Sequence, residues 1–358
     1  MKALFVFNHP APYKVKCFNL IAKHIDIDVI FERRKAKDRP NTFYQDNVYG
    51  FNHFFIDKGL FGKENCFSGA LRKYIKQHHK EYDVIVMNGY STIAEQKAIR
   101  YMNKHHIPFV LQINGGIIKK DFYIKKKIKQ YFISSASSYL SPGPLADNYI
   151  IHYGGDKNKI HFYPYSNFLE KDIIEKPLTD EEKSFLRKQY DLPEGRLFVC
   201  PTQFIERKNN IQLIKIFAKT DAKLLLIGVG PLKNDYINLI NEEHIDNVYL
   251  LPYQSKEQLF MILKACDFFI TLSKEDIFGH TTLEAMANGL PVLSSNKVIS
   301  SMQLIKDGIN GYILDINNED DIIQKINLID SSLAVNAIKT ARKNTIEASA
   351  NKIIEGIK

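Results

Sequence analysis

The alternation of short apolar runs with helix-like segments restricts the fold of this chain more than any other feature. The runs are rich in valine, isoleucine, leucine and phenylalanine, and between them apolar residues recur at helical spacing. Continuous apolar runs of this length are typical of strands that are buried on both faces, as in parallel sheets. The sequence therefore predicts an α/β fold, with mostly parallel strands and helices on both faces of each sheet.

The predicted strands form two series, which a polar and charged segment at residues 169–195 separates. The first series is 3–7, 27–31, 84–87, 109–113, 139–141 and 160–163, and the second is 197–200, 224–227, 248–251, 268–272, 292–293 and 311–314. Residues 33–69 are expected to form loops or an edge hairpin. We therefore expect an N-terminal domain at residues 1–168, a C-terminal domain at 169–341, and a last helix within 342–358.

Composition excludes several classes of protein. The 358 residues are 45% hydrophobic and 25% charged, which is ordinary for a globular chain with more than one core. The four cysteines are far apart and form no CxxC pair, which argues against a zinc site or a disulfide framework and fits a reducing cytoplasm. No apolar run approaches the roughly 20 residues that span a bilayer. The net charge of +9 suggests an anionic partner.

Polar residues concentrate in the stretch 271–295, which predicts a strand, a loop, a short helix and a second strand. Phe278 and Gly279 lie in the loop, and Gly289 is placed to end the helix. A helix N-terminus that follows a glycine loop suits a phosphate. The carboxylates of Asp276 and Glu284 flank that position and are suited to accept hydrogen bonds from sugar or ribose hydroxyls. The pattern alone leaves a plain structural connection equally open.

Residues 276–292, D-I-F-G-H-T-T-L-E-A-M-A-N-G-L-P-V, resemble the signature of the family-four retaining glycosyltransferases. In that family two glutamates, with seven residues between them, precede A-M-A-x-G-x-P-V. Asp276 replaces the first of these glutamates, with Glu275 just before it. The resemblance implies that Asp276 contacts the donor sugar and Glu284 the ribose. It also implies substrate contacts from the intervening loop and first helical turn, namely Ile277, Phe278, Gly279, His280 and Thr281.

A second resemblance lies in the loop after the first strand of the C-terminal domain. The family carries an arginine and a lysine there that bind the nucleotide diphosphate, because the departing phosphates need fixed positive charge. Lys208 matches the lysine, Gln203 occupies the usual position of the arginine, and Arg207 is a possible replacement. The alternative is that Arg207 and Lys208 are solvated loop charges.

Two further segments resemble the part of the family that binds the nucleotide. Gly228 and Gly230 belong to a G-x-G-P turn after a strand, where glycines would let the backbone approach the nucleotide; a plain tight turn is the alternative. This is not the GxGxxG dinucleotide fingerprint, which speaks against an NAD enzyme. Tyr253 is a candidate for the base pocket.

The first half of the chain offers two candidate residues. His9 lies in a proline-rich loop where many family members carry a glycine pair. Asn114 follows a strand whose end often bears a histidine near the donor sugar in relatives, so it is a candidate to hydrogen-bond a sugar hydroxyl. An ordinary turn asparagine is the alternative at that position.

Residues 119–132 combine positive charge with aromatic and aliphatic side chains at partly helical spacing. Between residues 119 and 129 there are six lysines and one aspartate, a net local charge of +5. Such a helix can lie on an anionic membrane; a solvated helix that packs its apolar side on the sheet is the alternative. No nucleic-acid-binding module accompanies the charge, so nucleic acid is not an expected partner. The membrane candidates are Lys119, Lys120, Lys125, Lys126, Lys127 and Lys129.

The resemblance implies the GT-B fold, in which two Rossmann-like domains face each other across a cleft and the last helix crosses back to the first domain. It implies transfer of a hexose or N-acetylhexosamine, with retention of configuration, from a UDP-linked sugar to a glycan or lipid-linked glycan in bacterial surface polysaccharide synthesis. No Asp-x-Asp metal motif accompanies the candidate residues, so neither a divalent cation nor another cofactor is expected. The expected location is the cytoplasm, at the inner face of the membrane.

Two other classes of function remain open from the sequence. One is a different enzyme with the same architecture, such as a hydrolysing UDP-sugar epimerase, which would release free UDP and an altered sugar. The other is a catalytically silent, membrane-docked nucleotide-sugar binder. This class is considered because Gln203 and Asp276 depart from the family's usual arginine and glutamate.

Overall fold

The structure is a computed structural model that describes residues 1–36, 41–56, 68–276 and 278–358. The chain divides into two compact units. The N-terminal unit comprises Met1–Phe168 together with Thr345–Lys358, and the C-terminal unit comprises Leu169–Asn344. Ile277 and one of the four cysteines, Cys66, lie outside the described part.

A seven-stranded parallel sheet forms the centre of the N-terminal unit, in the order β3-β2-β1-β4-β5-β6-β7. Its strands are β1 (Lys2–Phe7), β2 (Asp26–Phe31), β3 (Asn52–Phe55), β4 (Val84–Met87), β5 (Val110–Gln112), β6 (Ser138–Ser141) and β7 (Ile160–Phe162). Its helices before the C-terminal unit are α1 (Pro12–Ile21), α2 (Ala70–His78), α3 (Ile93–Lys104), α4 (Tyr123–Ser134) and α5 (Pro144–His152).

The expected edge hairpin within residues 33–69 is wrong in the described part of that range. Asn52 pairs with Asp28 in a parallel register, so β3 extends the sheet beyond β2 as a parallel edge strand. Parallel neighbours need a crossover connection rather than a tight hairpin, and the residues between β2 and β3 supply that length of chain. The side chains of β3 alternate between half-buried and exposed, as expected for an edge strand.

Side chains are buried on both faces of this sheet, which explains the continuous apolar runs in its central strands. On one face Phe7 and Phe18 pack edge to face, with ring centroids 4.9 Å apart. On the other face Leu4 and Val6 belong to a cluster that includes apolar side chains of α2 and α3. Each buried side chain of this size contributes about 1.5–3 kcal/mol to folding.

A six-stranded parallel sheet, in the order β10-β9-β8-β11-β12-β13, forms the centre of the C-terminal unit. Its strands are β8 (Leu197–Pro201), β9 (Lys223–Ile227), β10 (Val248–Leu251), β11 (Phe268–Thr271), β12 (Val292–Ser295) and β13 (Gly311–Leu314). Its helices are α6 (Asp180–Gln189), α7 (Asn210–Phe217), α8 (Lys233–Glu242), α9 (Lys256–Ala265), α10 (His280–Ala287), α11 (Ile299–Leu304), α12 (Glu319–Leu328) and α13 (Ala334–Arg342).

Each strand order contains one point where the direction of winding reverses. In the N-terminal sheet this point lies between β1 and β4, and in the C-terminal sheet it lies between β8 and β11. Loops that leave the carboxyl ends of two such strands diverge and leave a crevice, which is where open α/β sheets bind ligands. The loops after β8 and β11 are therefore the first place to look for a site in the C-terminal unit.

The last helix of the chain lies within the expected residues 342–358 and begins at Ile346. The helix α13 ends at Arg342, and α14 (Ile346–Ile357) begins after a break. Thr345 causes the restart, because its side chain caps α14 by accepting a hydrogen bond from the Ala348 N–H at 3.2 Å. The helix α14 belongs to the N-terminal unit, where it packs mainly against α1. Among the described residues no helix is long and apolar enough to cross a membrane.

Candidate functional site

The loops after β8 and β11 meet through one ion pair. Lys208 ends a short 3₁₀ turn, Glu206–Lys208, and its Nζ lies 2.5 Å from Oδ2 of Asp276. Both side chains are mostly buried, with 13% and 20% of their surface exposed. Two of the sequence candidates, predicted from separate motifs, are thus in direct contact at the reversal point of the sheet.

Arg207 joins the same two loops along their outer side. Its Nη1 donates to the carbonyl oxygen of Glu275 at 3.0 Å and lies 4.0 Å from Oδ2 of Asp276. Its Nη2 donates to Oε1 of Gln203 at 3.5 Å. Gln203, which occupies the usual position of the arginine, therefore contacts Arg207. The Lys274 N–H donates in turn to the Arg207 carbonyl at 2.8 Å. The solvated-charge alternative therefore does not describe Lys208, and it describes Arg207 only in part.

The start of α10 requires glycine at position 279. Gly279 has a φ of +78°, and a Cβ there would lie 2.7 Å from Cγ1 of Val298. Its carbonyl accepts hydrogen bonds from the Thr282 N–H at 3.2 Å and from Ser300 Oγ at 2.9 Å. This strained turn fixes where the first N–H groups of α10 lie, and those groups suit an anion.

The segment after β12 supports this loop and was not identified from the sequence. The Asp276 N–H donates to the Lys297 carbonyl at 3.1 Å, and the Ser300 N–H donates to the Phe278 carbonyl at 2.9 Å. Ser295 Oγ donates to the Ser273 carbonyl at 2.5 Å. The signal that could have identified the segment is its high serine and asparagine content directly after a buried strand.

The remaining candidates of the 276–292 motif lie on or beside the first turns of α10. Glu284 is in the second turn and is 9% exposed, although helix-borne glutamates are seldom so buried. The ring of Phe278 is buried and lies 5.1 Å, centroid to centroid, from the half-buried ring of His280. Thr281 is half-buried in the first turn. The helix ends as expected at Gly289, which has a φ of +79°.

The two glycines of the G-x-G-P turn pack against the loop after β8. A Cβ on Gly228 would lie 1.8 Å from the carbonyl oxygen of Thr202, and one on Gly230 would lie 2.4 Å from that of Phe204. The Phe204 N–H donates to the Val229 carbonyl at 2.9 Å between them. These glycines are thus required for the close approach of two backbone segments, which holds the loop of Lys208 in place whether or not a nucleotide binds.

Tyr253 and the two N-terminal candidates lie in different surroundings. Tyr253 follows β10 and is 64% exposed. In the N-terminal unit, His9 Nδ1 lies 3.0 Å from the hydroxyl of Tyr44. Asn114 donates from Nδ2 to Oδ1 of Asn88 at 2.8 Å and accepts at Oδ1 from the Tyr163 hydroxyl at 2.8 Å. Asn114 therefore links the ends of β4 and β5 to the segment after β7.

The basic segment of the N-terminal unit forms α4 and the turn before it. Phe122, Tyr123 and Ile124 are 86%, 75% and 73% exposed, and the neighbouring lysines are exposed as well. Lys129 differs from the other lysines, because its Nζ lies 2.7 Å from Oδ2 of Asp121 and its side chain is 15% exposed. Lys125 lies 3.4 Å from the same carboxylate but remains exposed.

Two observations bear on the chemistry of the site in the C-terminal unit. Burial raises the pKa of the Cys200 thiol to about 12, although the nearby charge of Lys208 opposes the rise, so this thiol is neutral. No group of three or more His, Cys, Asp or Glu side chains in the described part of the chain is arranged to hold a metal ion.

Comparison with known proteins gives matches over this region and over the fold. The family model for glycosyl transferases group 1 matches residues 182–344. N-acetyl-alpha-D-glucosaminyl L-malate synthase of Bacillus anthracis is 29% identical over 189 residues, 51% of this chain and 48% of the relative. The O-antigen biosynthesis glycosyltransferase WclY of Escherichia coli is 22% identical over 70% of this chain and 72% of its own length. The chain thus spans about half of the first relative.

A solved structure extends the likeness to both units. The crystal structure of Anabaena Alr3699/HepE in complex with UDP has a TM-score of 0.77 at 19% identity, and it covers 99% of this chain and 98% of that protein. This confirms the expected α/β fold of the GT-B class, with two Rossmann-like parallel sheets. The match to the glycosyl transferases group 1 model, over residues 182–344, includes every candidate residue of the C-terminal unit.

Proposed function

We propose that this protein is a glycosyltransferase that moves a hexose or N-acetylhexosamine from a UDP-linked sugar to a hydroxyl group of a glycan or lipid-linked glycan. The observation that carries the proposal is the contact of Lys208 with Asp276 at the reversal point of the C-terminal sheet, beside the glycine-led start of α10. A fixed cation, helix N–H groups and carboxylates are what a diphosphate with sugar hydroxyls on either side requires. The UDP complex of the Anabaena protein supports uracil as the base.

In the proposed reaction the bond from the sugar C1 to the diphosphate breaks, and a bond from C1 to the acceptor oxygen forms on the same face. The acceptor proton passes to the departing phosphate oxygen, which gives retention of configuration without a covalent enzyme intermediate. Lys208 stabilises the charge that develops on the diphosphate, Asp276 accepts from sugar hydroxyls, and Glu284 accepts from the ribose. His9 and Asn114 are proposed to contact the sugar or acceptor from the N-terminal unit.

We propose that the positive charge for this step comes from Lys208 and Arg207 and that no divalent cation or other cofactor is required. Support comes from the two side chains themselves, since Lys208 contacts Asp276 and Arg207 approaches it beside the start of α10. Turnover should therefore be unchanged when a chelator is added to metal-free buffer.

The acceptor is proposed to lie at an anionic membrane surface, to which α4 docks the N-terminal unit. On α4, Tyr123, Lys127 and Tyr131 are spaced four residues apart and are all exposed, with the Lys127 ammonium 5.6 Å from the Tyr123 ring centre. Aromatic side chains among lysines match the interface of an acidic bilayer, in charge and in polarity. A cytoplasmic enzyme of bacterial surface polysaccharide synthesis would meet its lipid-linked acceptor there, and the O-antigen role of WclY supports that setting.

A calorimetric screen of UDP-, GDP- and ADP-sugars, followed by transfer assays with the sugar that binds, tests the function. We expect a UDP-sugar to bind and a Lys208→Met variant to bind it at least tenfold more weakly while remaining folded. Tight binding without transfer to any acceptor would favour a silent binder instead. Release of UDP with an altered free sugar would favour an epimerase.

A further inference from the structure

Ser300 lies behind the loop that begins α10, and its hydroxyl contacts that loop directly. The residue is in the first turn of α11 and is completely buried, at 0% exposure. Its Oγ donates to the Gly279 carbonyl at 2.9 Å. The same carbonyl accepts from the Thr282 N–H at 3.2 Å, so it does not need the serine to satisfy its hydrogen-bonding capacity. The serine bond therefore restricts the direction in which this carbonyl points.

Ser300 also holds the peptide group on the other side of Gly279. Its backbone N–H donates to the Phe278 carbonyl at 2.9 Å. The carbonyls of the two peptide groups that flank Gly279 are thus both bonded to the same serine. Glycine has the least restricted backbone of all residues, and position 279 uses that freedom because its φ is +78°. The two bonds from Ser300 therefore fix peptide groups that the glycine itself leaves free to rotate.

The direction of these carbonyls determines the direction of the neighbouring N–H groups. In a planar trans peptide the N–H points opposite to the C=O of the same peptide group. Because the Phe278 and Gly279 carbonyls converge on Ser300, the N–H groups of Gly279 and His280 both point away from it. A left-handed residue followed by the first residue of a helix, as found here, gives a concave row of N–H groups that suits an anion.

The segment that carries Ser300 is itself fixed to the loop of Asp276. The Asp276 N–H donates to the Lys297 carbonyl at 3.1 Å, and the Ile299 N–H donates to the Asp276 carbonyl at 3.3 Å. These bonds form a parallel bridge between Asp276 and Val298, and the side chains of Val298 and Ile299 are buried. Ser300 therefore contacts the glycine turn from a fixed position.

We infer that Ser300 is a positioning residue for the diphosphate: it fixes the peptide groups on both sides of Gly279 and so directs the N–H groups of Gly279 and His280 toward the leaving phosphate. This role rests on the proposed function, which supplies the diphosphate, and extends it to a residue that does not touch the substrate. Dipoles that are already oriented need no reorganisation when charge develops on the leaving group. Loss of the serine hydroxyl should therefore weaken phosphate binding and leave contacts to the base and ribose unchanged.

Calorimetry of the full chain with inorganic pyrophosphate, UDP and uridine tests this role. Ser300→Ala should weaken the binding of pyrophosphate and UDP by about fivefold or more, as expected for one lost hydrogen bond, and should not change uridine binding. Ser301→Ala is the matched control, because Ser301 is equally buried and its hydroxyl contacts those of Ser294 and Thr282 instead. The control should lose thermal stability but keep all three affinities.

Ser300→Cys separates the hydrogen bond from the packing. Cysteine fills the space of serine but is a weak donor, so its affinities should match those of Ser300→Ala rather than those of the wild type. Recovery of the wild-type affinities in Ser300→Cys, or equal losses for uridine and pyrophosphate, would show a packing role and overturn the inference. Unchanged pyrophosphate and UDP affinities in Ser300→Ala would also overturn it.

The outcomes distinguish this role from the proposed function. If the wild-type protein binds pyrophosphate with the expected dependence on Ser300 but binds no UDP-sugar, the proposed donor is wrong and the positioning role stands. If the wild type and Ser300→Ala bind and transfer a UDP-sugar equally well, the positioning role alone is wrong. If the wild type binds neither pyrophosphate nor UDP, both are wrong.

Discussion

At the scale of single residues, Glu284 is the clearest test of the donor site. Glu284→Ala should weaken UDP-sugar binding by about 1.5–3 kcal/mol, the range of a charge-assisted hydrogen bond. The helix should persist, because alanine is the best helix former and the side chain points from the second turn of an eight-residue helix. Calorimetry measures the affinity and a thermal melt checks the fold. An unchanged affinity in a folded variant would remove Glu284 from the site.

Asp276 separates contacts to the sugar from contacts to the diphosphate. Asp276→Ala should reduce turnover by at least about 100-fold, while binding of free UDP should stay equal or become tighter. The reason is the ion pair. Without the Asp276 carboxylate, the Lys208 ammonium no longer has a negative charge beside it. Affinities for UDP and for the UDP-sugar are compared with kcat. Equal losses of both affinities would point to a structural role or to Glu275.

The sequence could identify the candidate residues of this site because they belong to short motifs. Lys208, Asp276 and the turn at Gly279 follow from residue types in two loops, and the strand order brings these loops together. The support from the segment after β12 could not be predicted, because Ser300 reaches Gly279 only through tertiary packing.

At the scale of elements, the approach of the turn after β9 to the loop after β8 explains why both glycines are needed. Gly228→Ala would place a methyl group against the Thr202 carbonyl and should destabilise the C-terminal unit by about 3 kcal/mol. Gly69→Ala is the control, since that Cβ would meet nothing within 4 Å and the φ of Gly69 is −82°. Denaturant unfolding of both variants measures the difference. Equal stability would mean that the turn can move away.

The end of β2 and the start of α3 share two buried carboxylates. Thr92 Oγ1 donates to Oε1 of Glu32 at 2.5 Å and accepts from the Glu95 N–H at 3.1 Å, while the Thr92 N–H donates to Glu95 Oε2 at 2.9 Å. Burial, and then the neighbouring Glu95, raise the pKa of Glu32 to about 8, and burial also raises the pKa of Glu95. One of the two therefore keeps a proton near neutral pH.

This pair makes stability depend on pH with a definite sign. The folded state holds the Glu32 proton more tightly than the unfolded state, so its contribution is complete below the ordinary glutamate pKa and is lost as the pH rises through about 8. Thermal melts from about pH 5 to about pH 8 should show a falling midpoint, with a smaller slope in Glu32→Gln. Glu355→Gln, an exposed position on α14, should keep the wild-type slope. Equal slopes in all three proteins would show that the pair does not titrate there.

Helices and strands were predictable where their hydrophobic pattern was strong. They were less predictable where a single residue decides where the element begins or ends. The buried strands, such as β4 and β11, follow from runs of apolar residues that a sheet interior accommodates. The break between α13 and α14 depends on the cap at Thr345, which competes with continued helix over three residues. The strand β3 has mixed burial, and its direction is decided by the sheet it joins.

At the scale of the whole molecule, the exposed face of α4 leads to a prediction about membranes. Replacing Lys126 and Lys127 with glutamate should reduce sedimentation with anionic vesicles by roughly 30-fold or more, since each lysine near an acidic surface contributes about 1 kcal/mol. The same change at Lys157 and Lys159, exposed elsewhere in that unit, is the control for net charge. Lys129 is left intact, because it is paired with Asp121.

Salt and acceptor type complete the membrane experiment. Vesicle binding should weaken as salt shortens the Debye length below about 10 Å, and turnover on a water-soluble acceptor should survive the Lys126 and Lys127 changes. If the wild-type protein ignores anionic vesicles even at low salt, the docking proposal fails and a soluble acceptor becomes the better candidate. If the Lys157 and Lys159 control loses as much vesicle binding, the effect comes from net charge and not from the position of α4.

The packing of α14 on α1 also sets an order of events during synthesis. Residues 169–344 form one contiguous unit, so every residue of its sheet is available before α14 has been translated. In the N-terminal unit, the surface of α1 that α14 covers stays exposed until residues 346–357 have been translated. On the ribosome the half of the molecule that is made first is therefore the half that is completed last, and its uncovered helix is the surface that chaperones would encounter.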